Sequence, residues 1–251
     1  MESFDSIVAA VFGVLSAIWT SAVAPVATPP NALVLGTLVL AAAMITVGPV
    51  WRVARHLVTI AHEGAHGVAA LVSGRRLAGI RLHSDTSGLT LSRGRPRGPG
   101  MVLTSFAGYV GPGLIGLGAA WLLSHGYAMG VLWSLTALLA LLLLQIRNWF
   151  GLWSVLVTGT LLVLVSWCAQ SSIQTAAAYT VTWFLLIGSV RPVFELQSQR
   201  RRGRARDSDA DQLGRITPLP AVVWVGAFAV VTVGAAVFGG WLLLAAYPLT
   251  S

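Results

Sequence analysis

The stretch LVTIAHEGAHGVAALVSG, residues 57–74, decides how the rest of the chain is read. Its aliphatic content suits a helix crossing a membrane, yet His62, Glu63 and His66 sit in its middle. Ionisable groups at bilayer depth cost about 2.5 kcal/mol or more each unless they face a cavity or a partner. On a helix turning ~100° per residue, Arg52, Arg55, His56, Thr59, His62, Glu63 and His66 project within an arc of about 120°. Of the other positions from 53 to 71, only Ala70 shares that arc, so one side of the helix is wet and the remainder apolar or small.

Composition extends the membrane reading to the whole chain. Of 251 residues, 56% are hydrophobic and 10% charged, against about 25% charged in soluble domains. The apolar runs are close to the ~20 residues that a helix needs to span a bilayer, and no period-2 alternation suggests a barrel. Helical spans are expected at residues 7–26, 32–50, 53–72, 101–124, 128–146, 150–168, 172–190 and 220–246. The predicted fold is an all-α polytopic membrane protein with about eight transmembrane helices, six at the least, forming one domain over residues 1–251. Between the third and fourth spans, LAGIRLH, a turn at SDTSG and LTLSR predict a short β-hairpin within the loop 74–100. The other long loop, 191–219, is both basic and acidic, and neither loop has room for a separate soluble domain. No repeat with a period of 20–50 residues is present.

All 16 basic residues are arginines. Six lie in the loop 74–100, Arg147 stands in a short loop, and Arg191 to Arg215 include seven more. If eight segments span, these loops share one face with 14 arginines, leaving Arg52 and Arg55 near the other. The positive-inside rule makes the arginine-rich face cytoplasmic and puts both termini outside, which implies a multi-pass protein of the inner (plasma) membrane. The acidic start, with Glu2 and Asp5, lacks the basic n-region of a cleaved signal peptide. The net charge of +8 follows from this loop asymmetry, so no nucleic-acid partner is invoked. RRRGRAR, residues 200–206, reads as a topology signal and secondarily as a contact for anionic lipid. A single cysteine, Cys168, excludes an internal disulfide and reads as packing material.

His62-Glu63-Gly64-Ala65-His66 is an HExxH motif. It places two imidazoles one turn apart on one face, able to hold a single Zn²⁺, with a glutamate beside them to take a proton from water. The alternative is a polar cluster that bonds neighbouring helices, which would not require this order of residues. Further blocks follow: SDTSGLTLSR (84–93), SFAGYVGPG (105–113), RNWFG (147–151) and SDADQLGRITPLPAVVW (208–224). In that series the chain resembles the site-2 protease family of intramembrane zinc metalloproteases, in particular a compact bacterial branch without a PDZ domain. The likeness covers roughly residues 32–230.

Catalytic zinc usually has three protein ligands and an open position, so a third must be found. The remaining acids are Glu2, Asp5, Asp85, Glu195, Asp207, Asp209 and Asp211. In the wider family the third ligand is an aspartate in an NxxPxxxxDG stretch, but here Asn148 is followed by Gly151 and Leu156 where proline and aspartate should stand. The resemblance to the compact branch points instead to Asp209, with Asp207 and Asp211 as fallbacks. The alternative is that the three aspartates only offset neighbouring arginines. His66 precedes Gly74 by eight residues, about 12 Å along a helix, which would put the metal a short way inside the cytoplasmic surface. Asn148, expected on that face, either orients the substrate and its carbonyl or is an ordinary polar helix end. His83 and Asp85 have no spacing that supports a metal site. The glycine-rich block at 105–118 reads as a close helix contact, and Trp51, Trp121 and Trp224 as interfacial anchors.

The resemblance implies a zinc endopeptidase with His62, His66 and Asp209 as metal ligands, Glu63 as general base and Asn148 at the substrate. Its substrate would be a transmembrane protein or signal-peptide remnant, bound by strand addition to the hairpin edge and selected by the membrane region or a partner. The rival class is a non-proteolytic scaffold, or a metal or ion carrier using the same polar stripe. A carrier would spread ionisable groups over several spans, and spans four to eight carry essentially none. A retired enzyme commonly loses its glutamate, and Glu63 is intact.

Overall fold

The computed structural model describes residues 2–203 and 207–245, so Arg204 and Arg206 of the basic run lie outside the described residues. In chain order the elements are α1 (Glu2–Val23), α2 (Asn31–Thr46), α3 (Gly48–Val72), β1 (Arg76–Leu82), β2 (Gly88–Arg93), α4 (Pro99–Ser124), α5 (Ala128–Leu143), α6 (Trp149–Cys168), α7 (Ser171–Gly188), α8 (Val190–Arg201), α9 (Asp209–Ile216) and α10 (Ala221–Ala245). All eight expected spans are helical, and the loop 74–100 holds a two-stranded antiparallel sheet.

The number of helices able to cross a membrane is smaller than expected. Five segments among the described residues are long and apolar enough, in α1, α4, α6, α7 running into α8, and α10. The pair α2 and α3 makes a sixth, bent by 101°. The bend falls at Val47, which is extended, where Gly48-Pro49 opens the next helix. α5 has 16 residues, about 24 Å of helix against roughly 30 Å of hydrocarbon. The sequence counted α2, α3 and α5 as three independent spans. Their apolar character was legible, but α5 is short, and the polar stripe makes α3 acceptable only as part of a bent pair.

The arginine-bearing connections gather at one end of the bundle. The Ile80 N–H donates to the Gln145 carbonyl at 2.8 Å and the Arg147 N–H to the Ile80 carbonyl at 2.9 Å. This parallel bridge adds the α5–α6 connection to β1. Asn148 completes the edge: its Oδ1 accepts from the Leu82 N–H at 3.1 Å and its Nδ2 donates to the Leu82 carbonyl at 2.6 Å. Beneath it, Ile60, Ile80, Leu82, Leu142, Ile146 and Val155 form an apolar core that seats the hairpin on α3, α5 and α6. At the opposite end, the Val26 N–H donates to the Gly126 carbonyl at 2.9 Å and ties the α1–α2 link to the α4–α5 turn.

The loop 191–219 is largely helical, which the sequence reading did not anticipate. Val193 and Leu196 of α8, with Ala210 and Leu213 of α9, are buried against Val110 of α4 and Val225 and Phe228 of α10. α9 carries its own start and stop. The Ser208 hydroxyl accepts from the Asp211 N–H at 3.3 Å, acidic residues occupy the first turn, and Arg215 lies in the last. Each of these suits the partial charges at helix ends. Two smaller expectations are corrected. Trp51 is buried at 2% exposure rather than an interfacial anchor, and Cys168 is exposed at the end of α6 rather than packed.

Candidate metal centre

The wet side of α3 is covered by α8, α6, the hairpin, α4 and α9. The lower part meets α8: Arg55 Nη2 lies 3.4 Å from Glu195 Oε2, and Glu195 Oε1 accepts from Arg191 Nε at 2.8 Å and Trp51 Nε1 at 3.3 Å. Arg191 also stacks on the Trp51 ring, 4.7 Å from its centroid, and donates to the Ile45 carbonyl just before the α2–α3 bend. His56 packs on the Phe150 ring of α6. Thr59 donates to the Thr86 carbonyl of the hairpin turn at 3.0 Å. The upper part, His62, Glu63 and His66, faces α4, β2 and α9.

The α9 helix delivers Asp209 to the two histidines. Asp209 Oδ2 lies 3.3 Å from His62 Nε2 and 3.2 Å from His66 Nε2, and the two nitrogens are 3.1 Å apart. Burial on its own would push the Asp209 carboxyl up, but the adjacent imidazoles of His66 and His62 hold it well below the usual carboxylate range. The fallback acids are engaged elsewhere. Asp211 pairs with Arg200 and accepts from the Ser208 hydroxyl at 2.7 Å, and exposed Asp207 lies 3.7 Å from Arg215. Asp85 accepts from the Ser87 N–H and hydroxyl at 3.0 and 2.6 Å, closing the hairpin turn.

The donor set fits a zinc ion. Tetrahedral coordination at about 2.0 Å places ligand atoms about 3.3 Å apart, close to the spacings of these three atoms. His66 Nδ1 lies 2.7 Å from the Thr104 carbonyl. A carbonyl can only accept, so Nδ1 donates there and Nε2 is the ring atom turned toward His62 and Asp209, the orientation typical of metal-ligating histidine. Close approach of α4 allows this. A Cβ on Gly108 would collide with both imidazoles, and one on Gly111 with Ala65. The glycine-rich block is therefore part of the site's shape as well as a helix contact.

Glu63 is buried beside the cluster and held by β2. Thr90 Oγ1 donates within 2.7 Å of Glu63 Oε2 and also lies 3.1 Å from the Glu63 carbonyl. Gly88 leaves room for the carboxylate, which a Cβ there would strike. A cavity of about 590 Å³ opens over these groups. Residues 86–92 form one wall, Arg55, Thr59 and Arg75 contribute to it, and Tyr109 stands edge-on to His62 and stacked on Phe228. Asn148 does not line this cavity; both ends of its amide are taken by Leu82.

Thr90, Thr104, Tyr109, Arg75 and Glu195 escaped the sequence reading. Thr90 had the best signal, as part of a β-strand expected near the metal. The Thr104 contact uses a backbone carbonyl, for which side-chain identity offers no sign.

A buried HExxH helix, capped by a carboxylate from a later helix and set among apolar helices, defines a membrane protein with a hydrolase-like centre. The family model described as Peptidase M50B-like matches residues 35–239, and the chain belongs to that family, a relative of the site-2 proteases, whose membership implies protease activity. No curated protein and no solved structure matches the chain.

Proposed function

We propose that the protein is an intramembrane zinc endopeptidase acting on membrane-embedded protein segments. The observation that carries this reading is the convergence of His62, His66 and Asp209 beside Glu63 on one buried cavity wall. Zn²⁺ held by these three side chains would supply a Lewis acid for the scissile carbonyl and acidify a water. Glu63 takes the water proton. Thr90 occupies Oε2, which leaves Oε1 to receive that proton and pass it to the leaving amine. Thr104 holds His66 in the tautomer that binds metal.

The substrate must present an unwound segment, since the amides of an intact helix are bonded internally. The hairpin supports binding by strand addition on one edge only. The outer edge of β1 is taken by residues 145–148, whereas β2 borders the cavity. Asn148 then serves the substrate indirectly, by holding Leu82 and with it the position of the hairpin. The arginine-rich end that holds the hairpin, α8 and α9 is assigned to the cytoplasmic face of the inner membrane.

The test is reconstitution in liposomes with model transmembrane peptides, with products read by mass spectrometry. Cleavage by zinc-loaded wild type and none by Glu63→Gln of equal zinc content is expected. Equal turnover by both would overturn the assignment of Glu63, and cleavage unaffected by chelation would overturn the metal.

A further inference from the structure

The cavity wall carries a buried cation that the proposed hydrolysis does not use. Arg75 follows the turn that ends α3 and is 9% exposed. Its Nε donates to Ser92 Oγ at 3.0 Å and its Nη1 to the Arg95 carbonyl at 2.6 Å. Both partners are neutral. The other ionisable groups on the wall have partners: Arg55 pairs with Glu195, Asp207 with Arg215, Asp209 with the histidines, and Glu63 accepts from Thr90. Among the described residues Arg75 has no carboxylate in ion-pair range. A guanidinium has five N–H donors and here spends two on the chain. Burying an unpaired charge is costly unless an opposite charge arrives. A second group on the same wall lacks a partner: Ser105 is buried and its hydroxyl makes no hydrogen bond among the described residues.

The position of Arg75 along β2 gives this cation a register. β2 runs from Gly88 and Thr90, which touch Glu63, to Ser92, which touches Arg75. A peptide strand laid on β2 with its scissile bond at Glu63 therefore reaches Arg75 about two residues away, roughly 7 Å at strand spacing. We propose that Arg75 is a specificity residue that binds a carboxylate of the substrate one to three residues from the cleaved bond. The carboxylate is either an acidic side chain or the free C-terminus of the peptide. A guanidinium suits it through paired, charge-assisted hydrogen bonds. This inference rests on the peptidase reading for its register but on Arg75 alone for its ligand.

The experiment uses full-length protein in detergent and a set of leucine-rich transmembrane peptides with a central Gly-Ser-Ala segment. Glu, Gln or Lys is placed one to four residues to either side, and a second set of peptides ends one to three residues after the Gly-Ser-Ala segment with a free or amidated C-terminus. Cleavage is followed in wild type, Arg75→Gln and Arg75→Lys. Binding of the same peptides is followed by anisotropy in zinc-loaded Glu63→Gln, with and without Arg75→Gln. Wild type is expected to favour a Glu peptide or a C-terminal acid over its neutral twin by about 10- to 100-fold, the size of a charge-assisted hydrogen bond. Arg75→Gln is expected to lower cleavage of the acidic peptides about 10- to 100-fold more than that of their neutral twins, and Arg75→Lys to keep part of the preference. Preference for Glu with either terminus identifies a side chain; preference confined to the free terminus identifies the chain end. Equal loss on acidic and neutral peptides in Arg75→Gln would show a purely structural arginine and overturn the proposal, as would equal binding of acid and neutral peptides. Absence of cleavage alongside Arg75-dependent binding of acids would retain the carboxylate site and overturn the peptidase reading.

Discussion

Gly108→Ala adds a single methyl group against both imidazoles of the metal centre. Its Cβ would sit 2.7 Å from His62 Nε2 and nearer still to His66 Nε2, whereas comfortable heavy-atom contact begins at about 3.5 Å. Both imidazoles or the α4 backbone must move by at least about 0.8 Å, well beyond the ~0.2 Å tolerance of a metal–ligand distance. Zinc affinity should fall at least 100-fold, the upper end of what disturbing a single supporting residue costs. Gly118→Ala is the matched control on the same helix, because a Cβ there meets nothing within 4 Å. That variant should bind zinc normally and gain up to ~1 kcal/mol from helix propensity. The assay is competitive zinc titration against a fluorescent chelator, with circular dichroism to establish that both variants are helical. Wild-type affinity in Gly108→Ala would refute the packing of α4 on the two histidines.

Thr90→Val removes the hydroxyl that holds Glu63 Oε2 and should lower kcat about 10-fold, leaving zinc content unchanged. Glu195→Ala strips the carboxylate shared by Arg55, Arg191 and Trp51. It should cost roughly 1–2 kcal/mol in detergent unfolding, because Glu195 and the two arginines are only partly buried. Asp211 is raised by burial but held below its ordinary value by Arg200 and Ser208. A lowered folded pKa gives stability that is present above the unfolded value and lost as pH falls through the folded one. The Tm gap between wild type and Asp211→Asn should therefore be full near pH 7 and shrink as pH drops below about 4; a constant gap would rule out this linkage.

The helices and the HExxH stripe were legible because both are periodic: long apolar runs on one side, seven polar residues within a third of a turn on the other. Asp209 was reachable only through its resemblance to a known block, since nothing in its own spacing says that α9 will dip toward His66. The α8 and α9 helices were missed because their inward residues, Val193, Leu196, Ala210 and Leu213, are few and separated by arginines. A cue was present in Ser208 before Asp209 and Asp211, a good helix start read only as loop. Asn148 is the opposite case. Its identity suggested a hand on the substrate, but its neighbours in space are the Leu82 backbone groups, and such long-range pairing leaves no local trace. The span count failed at α2 and α3 because hydropathy registers polar content without registering the bend at Val47.

The most direct measurement is zinc stoichiometry and X-ray absorption on detergent-purified wild type, with Asp209→Ala and His66→Ala alongside. One zinc per chain is expected in wild type, with nitrogen and oxygen scatterers near 2.0 Å, and loss of tight binding in both variants with helical content intact. Folded wild type that takes up no zinc, or an Asp209→Ala protein that holds it as tightly as wild type, would contradict the three-ligand centre.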